Sequence, residues 1–355
     1  MNWLLHFIAV LLLSLHVGAL PSGPMHGLEQ RDLATENEQP SVIVYVNEIG
    51  QTLSVKTLVP SATAPVNAPT DISSPPPASG TNVPSPDSPI SLSPAAQDRF
   101  GVTYAPFNDD STCKSQDQVN QDMDKIARLY SFVRIYGVDC DQTRKVVQAA
   151  RERNIRVFAG VFDLQNFPAS LDEIIRVAAG DWSTFHSINI GNELVNKGQN
   201  SVSDVVNAVN TARRILRSAG YQGPVVTVDT FSVLLNHPEL CHVSDYCAAN
   251  CHAFFDANMT PDRAGAYALE QSQRISAAAG GKHTVITESG WPHHGHPNGR
   301  AVPSRENQYT AIITLSNSFG RRYNDLIFHS AFDDLWKQDT PDSFGAEKYW
   351  GLETW

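Results

Sequence analysis

The chain has 355 residues and a net charge of −11, with 26 Lys and Arg against 37 Asp and Glu. That balance argues against a nucleic-acid partner or an anionic membrane surface, both of which favour clustered positive charge, and it suits a neutral polymer. The length allows one large domain with extensions.

Residues 1–19 read as a secretory signal peptide. An apolar run from Leu4 to Leu15 precedes Val17-Gly18-Ala19, whose small side chains suit cleavage after Ala19. The run is too short for a bilayer span, and no second one follows. The end at Trp355 lacks the hydrophobic tail of a lipid-anchor signal, so a secreted protein without a membrane anchor is expected. Residues 20–59 form an N-terminal segment in which Val42-Ile43-Val44-Tyr45-Val46 opens a short hairpin about Asn47-Glu48-Ile49-Gly50. From 60 to 98 the chain is rich in Pro, Ser, Ala and Thr, with Pro75-Pro76-Pro77 at its centre. Such a stretch buries too little apolar area to offset chain entropy, and a disordered, O-glycosylated linker is expected. The folded domain is expected over residues 99–355.

Within it, short apolar strands alternate with amphipathic helices. The strand candidates are 100–106, 132–137, 156–162, 187–192, 225–229, 246–252, 284–288 and 327–332. Ser115 caps the first helix, with Gln118 at capping-box spacing and Val119, Met123 and Ile126 on one face. Asp141 precedes the next helix, and Ser203 leads a longer one that Gly220 ends. Thr260-Pro261 opens another, closed by Gly280, and Ser304 begins the last. Eight β–α units at this length give an α/β fold, a (β/α)8 TIM barrel. A doubly wound open sheet is disfavoured because no Gly-rich phosphate loop follows the first strand.

Two strands end in a glutamate: Ile188-Asn189-Ile190-Gly191-Asn192-Glu193, and Thr284-Val285-Ile286-Thr287-Glu288. They are the fourth and seventh strands, so both carboxylates should project from the C-terminal mouth of the barrel, where its chemistry is done. A carboxylate pair across a cleft is what glycosidic bond cleavage requires. Asn192 adds an amide able to hold a sugar hydroxyl beside the reacting carbon. Tyr104, Tyr136, Phe255, Trp291 and Trp336 fall at or just beyond strand ends, where aromatics either stack on sugars or fill the core. Trp291-Pro292-His293-His294-Gly295-His296 invites a metal reading, but a flexible rim beside the cleft is preferred, with no metal and no cofactor expected.

Asn192-Glu193, Glu288-Ser289-Gly290-Trp291-Pro292, Tyr136-Gly137, Asn250-Cys251-His252-Ala253-Phe254-Phe255-Asp256 and Ala331-Phe332-Asp333-Asp334-Leu335-Trp336-Lys337 together resemble glycoside hydrolase family 17. The signal, β-like segment and Pro/Ser linker resemble its fungal soluble cell-wall branch. The resemblance implies a retaining enzyme acting on β-1,3-glucan at the cell wall, with Glu193 as acid/base and Glu288 as nucleophile. It implies substrate contacts from Tyr136, Trp291 and Lys337; Asp333 and Asp334 are expected to brace their loop and not to react. Hydrolysis and glucan transfer share this mechanism and both stay open, as does a β-1,6 branching specificity. A non-catalytic wall-binding or adhesion protein is disfavoured by the intact carboxylate pair.

The five cysteines allow two disulfides and leave one thiol over. Cys113 and Cys140 follow the first two strands and should meet at one rim. Cys241 joins either Cys247 or Cys251, which alternation puts on one strand face. Asn258-Met259-Thr260 is an N-glycosylation sequon followed by proline.

Overall fold

The computed structural model describes residues 99–352, together with the backbone of 41–46 and 52–58. The signal peptide, the hairpin turn and the whole linker lie outside the described residues. In the N-terminal unit β1 (Ser41–Val46) pairs antiparallel with β2 (Thr52–Leu58), Ser41 opposite Leu58.

In the second unit, β3 (Gly101–Thr103), β4 (Phe132–Arg134), β5 (Arg156–Val161) and β6 (Phe185–Asn192) form half of a closed barrel. The other half is β7 (Val225–Thr230), β8 (Cys247–Asn250), β9 (Thr284–Ser289) and β10 (Leu326–Phe328). Every neighbouring pair is parallel, and Ile327 opposite Gly101 closes the ring. This is the expected (β/α)8 barrel. Several strands are shorter than their apolar runs, β3 covering only Gly101–Thr103 of the expected 100–106.

The helices are α1 (Gln116–Leu129), α2 (Gln142–Glu152), α3 (Ser170–Ala178), α4 (Val202–Ser218), α7 (Ala264–Ala278) and α8 (Arg305–Phe319). Two short helices, α5 (Phe231–Asn236) and α6 (Glu239–Val243), share the interval after β7. Phe132, Phe158, Val226, Val228 and Tyr246 fill the barrel interior, whereas a larger cluster seals the strands against the helices. Val119, Met123 and Ile126 of α1 belong to that outer cluster, each contributing about 1.5–3 kcal/mol of transfer free energy before chain entropy is counted.

Ser115 and Ser304 cap their helices as expected, while other helix starts differ in detail. Ser115 accepts from the Gln118 N–H, and its own N–H donates to Gln118 Oε1 at 2.8 Å. Helix α4 starts two residues earlier than expected. Ser201, not Ser203, is the cap, because Asp204 closes a reciprocal box with it at 3.2 and 3.0 Å. Asp141 caps nothing with its side chain; it has φ +56° and its carboxylate pairs with Arg144 instead. Pro261 begins a 3₁₀ turn, Pro261–Arg263, that only then leads into α7.

Cys113 and Cys140 are bonded, and Cys241 pairs with Cys247, which closes the alternative left by the sequence. Cys251 is a buried free thiol whose pKa burial pushes up. The first bridge encloses a loop of sequence separation 27. Replacing Cys113 and Cys140 by Ala is expected to cost about 3 kcal/mol through the larger entropy of the unfolded chain. Denaturant titration of the double variant reads this directly, and an unchanged midpoint would rule it out.

Candidate active site

Glu193 owes its position to a break in strand pairing. Between Asn189 and Asn192 the register of β6 against β7 slips, and Gly191 takes φ +85°, where an added Cβ would lie 2.5 Å from Leu194 Cδ1. Glu193 follows with φ +59°, a conformation costing a non-glycine residue about 1–3 kcal/mol. The neighbouring strand holds it there. Glu193 N–H donates to Val228 O at 2.9 Å, while the buried Asp229 accepts from the Val195 N–H at 3.0 Å and the Thr230 N–H at 2.8 Å. Burial raises the Asp229 pKa to about 6; the backbone donors partly offset this, and Glu193 adds repulsion.

Glu288 stands at the end of β9 and is 6 % exposed. Its principal partner is Arg134, fully buried at the end of β4. Arg134 Nη1 donates to Glu288 Oε1 at 2.7 Å and to Thr287 O at 3.0 Å, and Nη2 donates to Asn192 Oδ1 at 2.8 Å. Asn250 completes the network. Its Oδ1 accepts from Thr287 Oγ1 at 2.9 Å and Arg134 Nη1 at 3.3 Å, which leaves Nδ2 to donate to Glu193 Oε1 at 2.8 Å. Glu193 and Glu288 are thus joined through two buried side chains, and both open into one cavity of about 850 Å³.

The electrostatics of the two sides differ. Burial, the largest single influence, would raise the Glu288 carboxyl, but the Arg134 guanidinium, His329 and a hydrogen bond with His252 at 3.3 Å together outweigh it. The net result holds Glu288 well below the usual carboxylate range, ionised at neutral pH. His329 Nδ1 lies 3.7 Å from the same carboxylate, and burial keeps its imidazole neutral. Glu193 is more open, and Lys197 Nζ approaches it at 3.8 Å.

Asn192, Tyr136, Phe255, Trp336 and Lys337 line the cavity with the two glutamates. Phe255 is 44 % exposed, and burial followed by the Glu288 charge raises the Tyr136 phenol pKa. Lys337 is held charged: burial opposes its ionisation, but Asp334 at 3.1 Å, then Glu347 and Glu288, raise its pKa. Asp334 also accepts from Trp336 Nε1 at 3.0 Å, and Asp333 accepts from the Gly351 N–H at 2.8 Å, so both aspartates brace the loop.

Two expected contact residues lie off the cleft. Trp291 is fully buried; its Nε1 donates to Val302 O at 3.0 Å and its ring packs edge-on against Phe254. Gln308 of α8 donates to its backbone carbonyl at 2.9 Å, so Trp291 belongs to the packed shell and not to the cavity lining. Tyr104 is 2 % exposed and donates to Asp122 of α1 at 2.6 Å, so it ties β3 to a helix. The histidine rim is also pinned rather than free, since His293 Nε2 lies 2.9 Å from both Asp333 oxygens and His294 packs on Tyr349. Among the described residues no group of three or more His, Cys, Asp or Glu side chains is placed to hold a metal ion.

Sequence reasoning missed Arg134, His252, His329, Phe162, Lys197 and Trp350. Arg134 had a usable signal, a charge at the end of the apolar run Phe132-Val133-Arg134-Ile135 in a strand buried on both faces. Trp350 had none, because it comes from an irregular segment beyond the last strand and meets His252 and Phe255 only in the folded chain.

Fold and site together define a barrel with an acid pair set across a sugar-sized cleft. The BtgE/BtgC glycoside hydrolase domain matches residues 101–351, and the chain belongs to that family, within glycoside hydrolase family 17. The "Cell surface mannoprotein MP65" of Candida albicans is 43 % identical over 257 residues, covering 71 % of this chain and 66 % of that protein. The "Probable family 17 glucosidase SCW10" of Saccharomyces cerevisiae is 42 % identical over 255 residues, covering 71 % and 64 %. The matched region therefore spans less than two thirds of the length of these relatives. A family 17 β-1,3-glucanosyltransferase from Rhizomucor miehei shares the fold, with a TM-score of 0.63 and 21 % identity over 72 % of this chain and 93 % of that one. Among the described residues no helix is long and apolar enough to cross a membrane.

Proposed function

We propose that this protein is a secreted, retaining β-1,3-glucan glycosidase of the fungal cell wall. The observation that carries the reading is the hydrogen-bonded chain Glu193–Asn250–Arg134–Glu288 at the floor of one cavity. Glu288, kept ionised by Arg134, attacks the anomeric carbon while Glu193 gives its proton to the departing glycosidic oxygen. A covalent glucosyl ester forms as the C–O bond breaks, with the carboxyls about 5–5.5 Å apart in such enzymes. Glu193, now ionised, takes a proton from the incoming hydroxyl, which displaces Glu288. Asn192, held by Arg134, is positioned for the sugar 2-OH, a contact that strengthens as positive charge builds. Following the anomer first released from laminari-oligosaccharides by NMR tests this. The β-anomer is expected; the α-anomer would overturn double displacement.

The incoming hydroxyl belongs to water in hydrolysis and to a second glucan in transfer. One feature favours transfer. Phe162, 41 % exposed, lines the cleft, with Lys197 set between its ring and Glu193. An open aromatic on the acid/base side suits a sugar face. The structurally similar Rhizomucor miehei transferase has been captured with laminaritriose. Phe162→Ala is expected to lower the ratio of elongated to shortened products by about two- to tenfold, the value of one stacking contact. An unchanged product ratio on a defined oligosaccharide would remove Phe162 from the acceptor side.

A further inference from the structure

Glu347 is a further carboxylate of the cleft, and the mechanism gives it no task. It belongs to the loop after β10, flanked by the fully buried Ala346 and by Trp350, which is 4 % exposed. That loop is fixed in place. The Glu347 N–H donates to Asp339 Oδ1 at 3.2 Å, Lys348 O accepts from the Asp334 N–H at 3.0 Å, and Gly351 is tied to Asp333. Glu347 lines the cavity beside Lys337 and Trp350. Among the described residues its carboxylate accepts no hydrogen bond and forms no ion pair. Lys337, the cation that influences it most, is itself paired with Asp334 at 3.1 Å. Burial raises the Glu347 pKa, and Lys337 and His252 pull against that. A half-buried carboxylate without donors is costly, so a rigid loop that keeps one facing a cleft leaves the donors to arrive with a ligand.

We propose that Glu347 is a specificity-determining residue that accepts hydrogen bonds from the 4-OH and 6-OH of one bound glucosyl unit, and so selects 3-linked over 4-linked or 6-linked glucan. This rests on the β-1,3-glucan reading and adds which hydroxyls are recognised. Within a 3-linked chain each internal glucose keeps its 2-, 4- and 6-OH, and only the last two lie side by side. A carboxylate has two oxygens to receive such a pair. In a 4-linked chain the 4-OH is consumed by the linkage, and in a 6-linked chain the 6-OH is, so one half of the contact is lost.

The test uses the full chain and β-1,3-linked pentasaccharides carrying a 4-deoxy or 6-deoxy unit at one position at a time. For the unit that Glu347 reads, the wild-type protein is expected to lose about 10- to 100-fold in kcat/KM on either deletion, as for a hydrogen bond to a charged group. Glu347→Ala is expected to be weakened on the parent sugar and to treat the parent and both deoxy sugars alike within about twofold. Glu347→Gln, which keeps one acceptor oxygen and nearly the same shape, should retain part of the discrimination. Either folded variant discriminating as strongly as wild type would overturn the proposal. A wild type that cleaves β-1,3-oligosaccharides without regard to these hydroxyls overturns it as well and leaves the glucan reading standing. A wild type inactive on every β-1,3-oligosaccharide removes the glucan reading, and this proposal with it.

Discussion

Glu288→Gln is expected to lower turnover of β-1,3-glucan by roughly 10⁴- to 10⁶-fold, with the fold intact. The nucleophile is the one group whose loss removes the covalent route entirely. The amide keeps the shape and can still accept from Arg134, so the variant should fold, less stably because Arg134 loses its counter-charge, and kcat carries the main effect. Stereochemistry then separates the two glutamates. Azide supplied to Glu288→Ala attacks from the vacated face in a single inversion, giving an α-glucosyl azide. Supplied to Glu193→Ala with a good leaving group, it intercepts the glucosyl ester and gives the β-azide. Glu193→Ala itself should lose about 10²- to 10⁴-fold on unactivated glucan, the usual share of general acid–base help. Residual activity of Glu288→Gln within tenfold of wild type would place the nucleophile elsewhere.

Arg134→Leu is the second large effect, and it is both structural and chemical. Arg134 is fully buried against a carboxylate that is 6 % exposed, at 2.7 Å. Removing one partner of such a pair strands the other and costs about 3–5 kcal/mol. In a domain of this size that corresponds to a thermal midpoint lower by about 10 °C. Arg134→Leu combined with Glu288→Gln should lose less than the sum of the two single changes, because no charge is left unpaired. The pH dependence follows from the depressed Glu288 pKa. Its pairing contributes stability that is fully present above the unfolded carboxyl pKa of about 4.3 and is lost as pH falls through the lower folded value. Arg134→Lys, with a poorer fork, should raise that folded value. The acid limb of activity would then move to higher pH, and a limb left in place would show that Arg134 does not set the ionisation of Glu288.

Much of this was readable before any coordinates. The barrel is a periodic feature, and buried parallel strands alternating with capped helices leave their mark on every turn of chain. Glu193 and Glu288 were readable for the same reason, since each closes an apolar strand and a barrel aims all such ends at one mouth. What failed was the direction of single side chains just beyond a strand. Trp291 and Tyr104 occupy the same kind of position as Phe255 and Tyr136, yet the first pair is buried and only the second lines the cavity. Arg134 was passed over because a lone arginine is ordinarily a surface charge, and only the barrel interior reveals four acceptors converging on it. Asp141 does precede helix α2, but Arg144 takes its carboxylate and no side-chain cap forms.

Because the acid pair is carried by β6 and β9 and tied through Asn250 on β8 and Arg134 on β4, its spacing belongs to the ring of strands and not to the loops above it. The segment 339–350 contributes only walls, through Glu347 and Trp350. Evolution, or an engineer, could therefore exchange those walls to accept a different chain length or branch while the stereochemical outcome stayed untouched. Retuning what is held and preserving how it is cut become separable tasks in such an architecture.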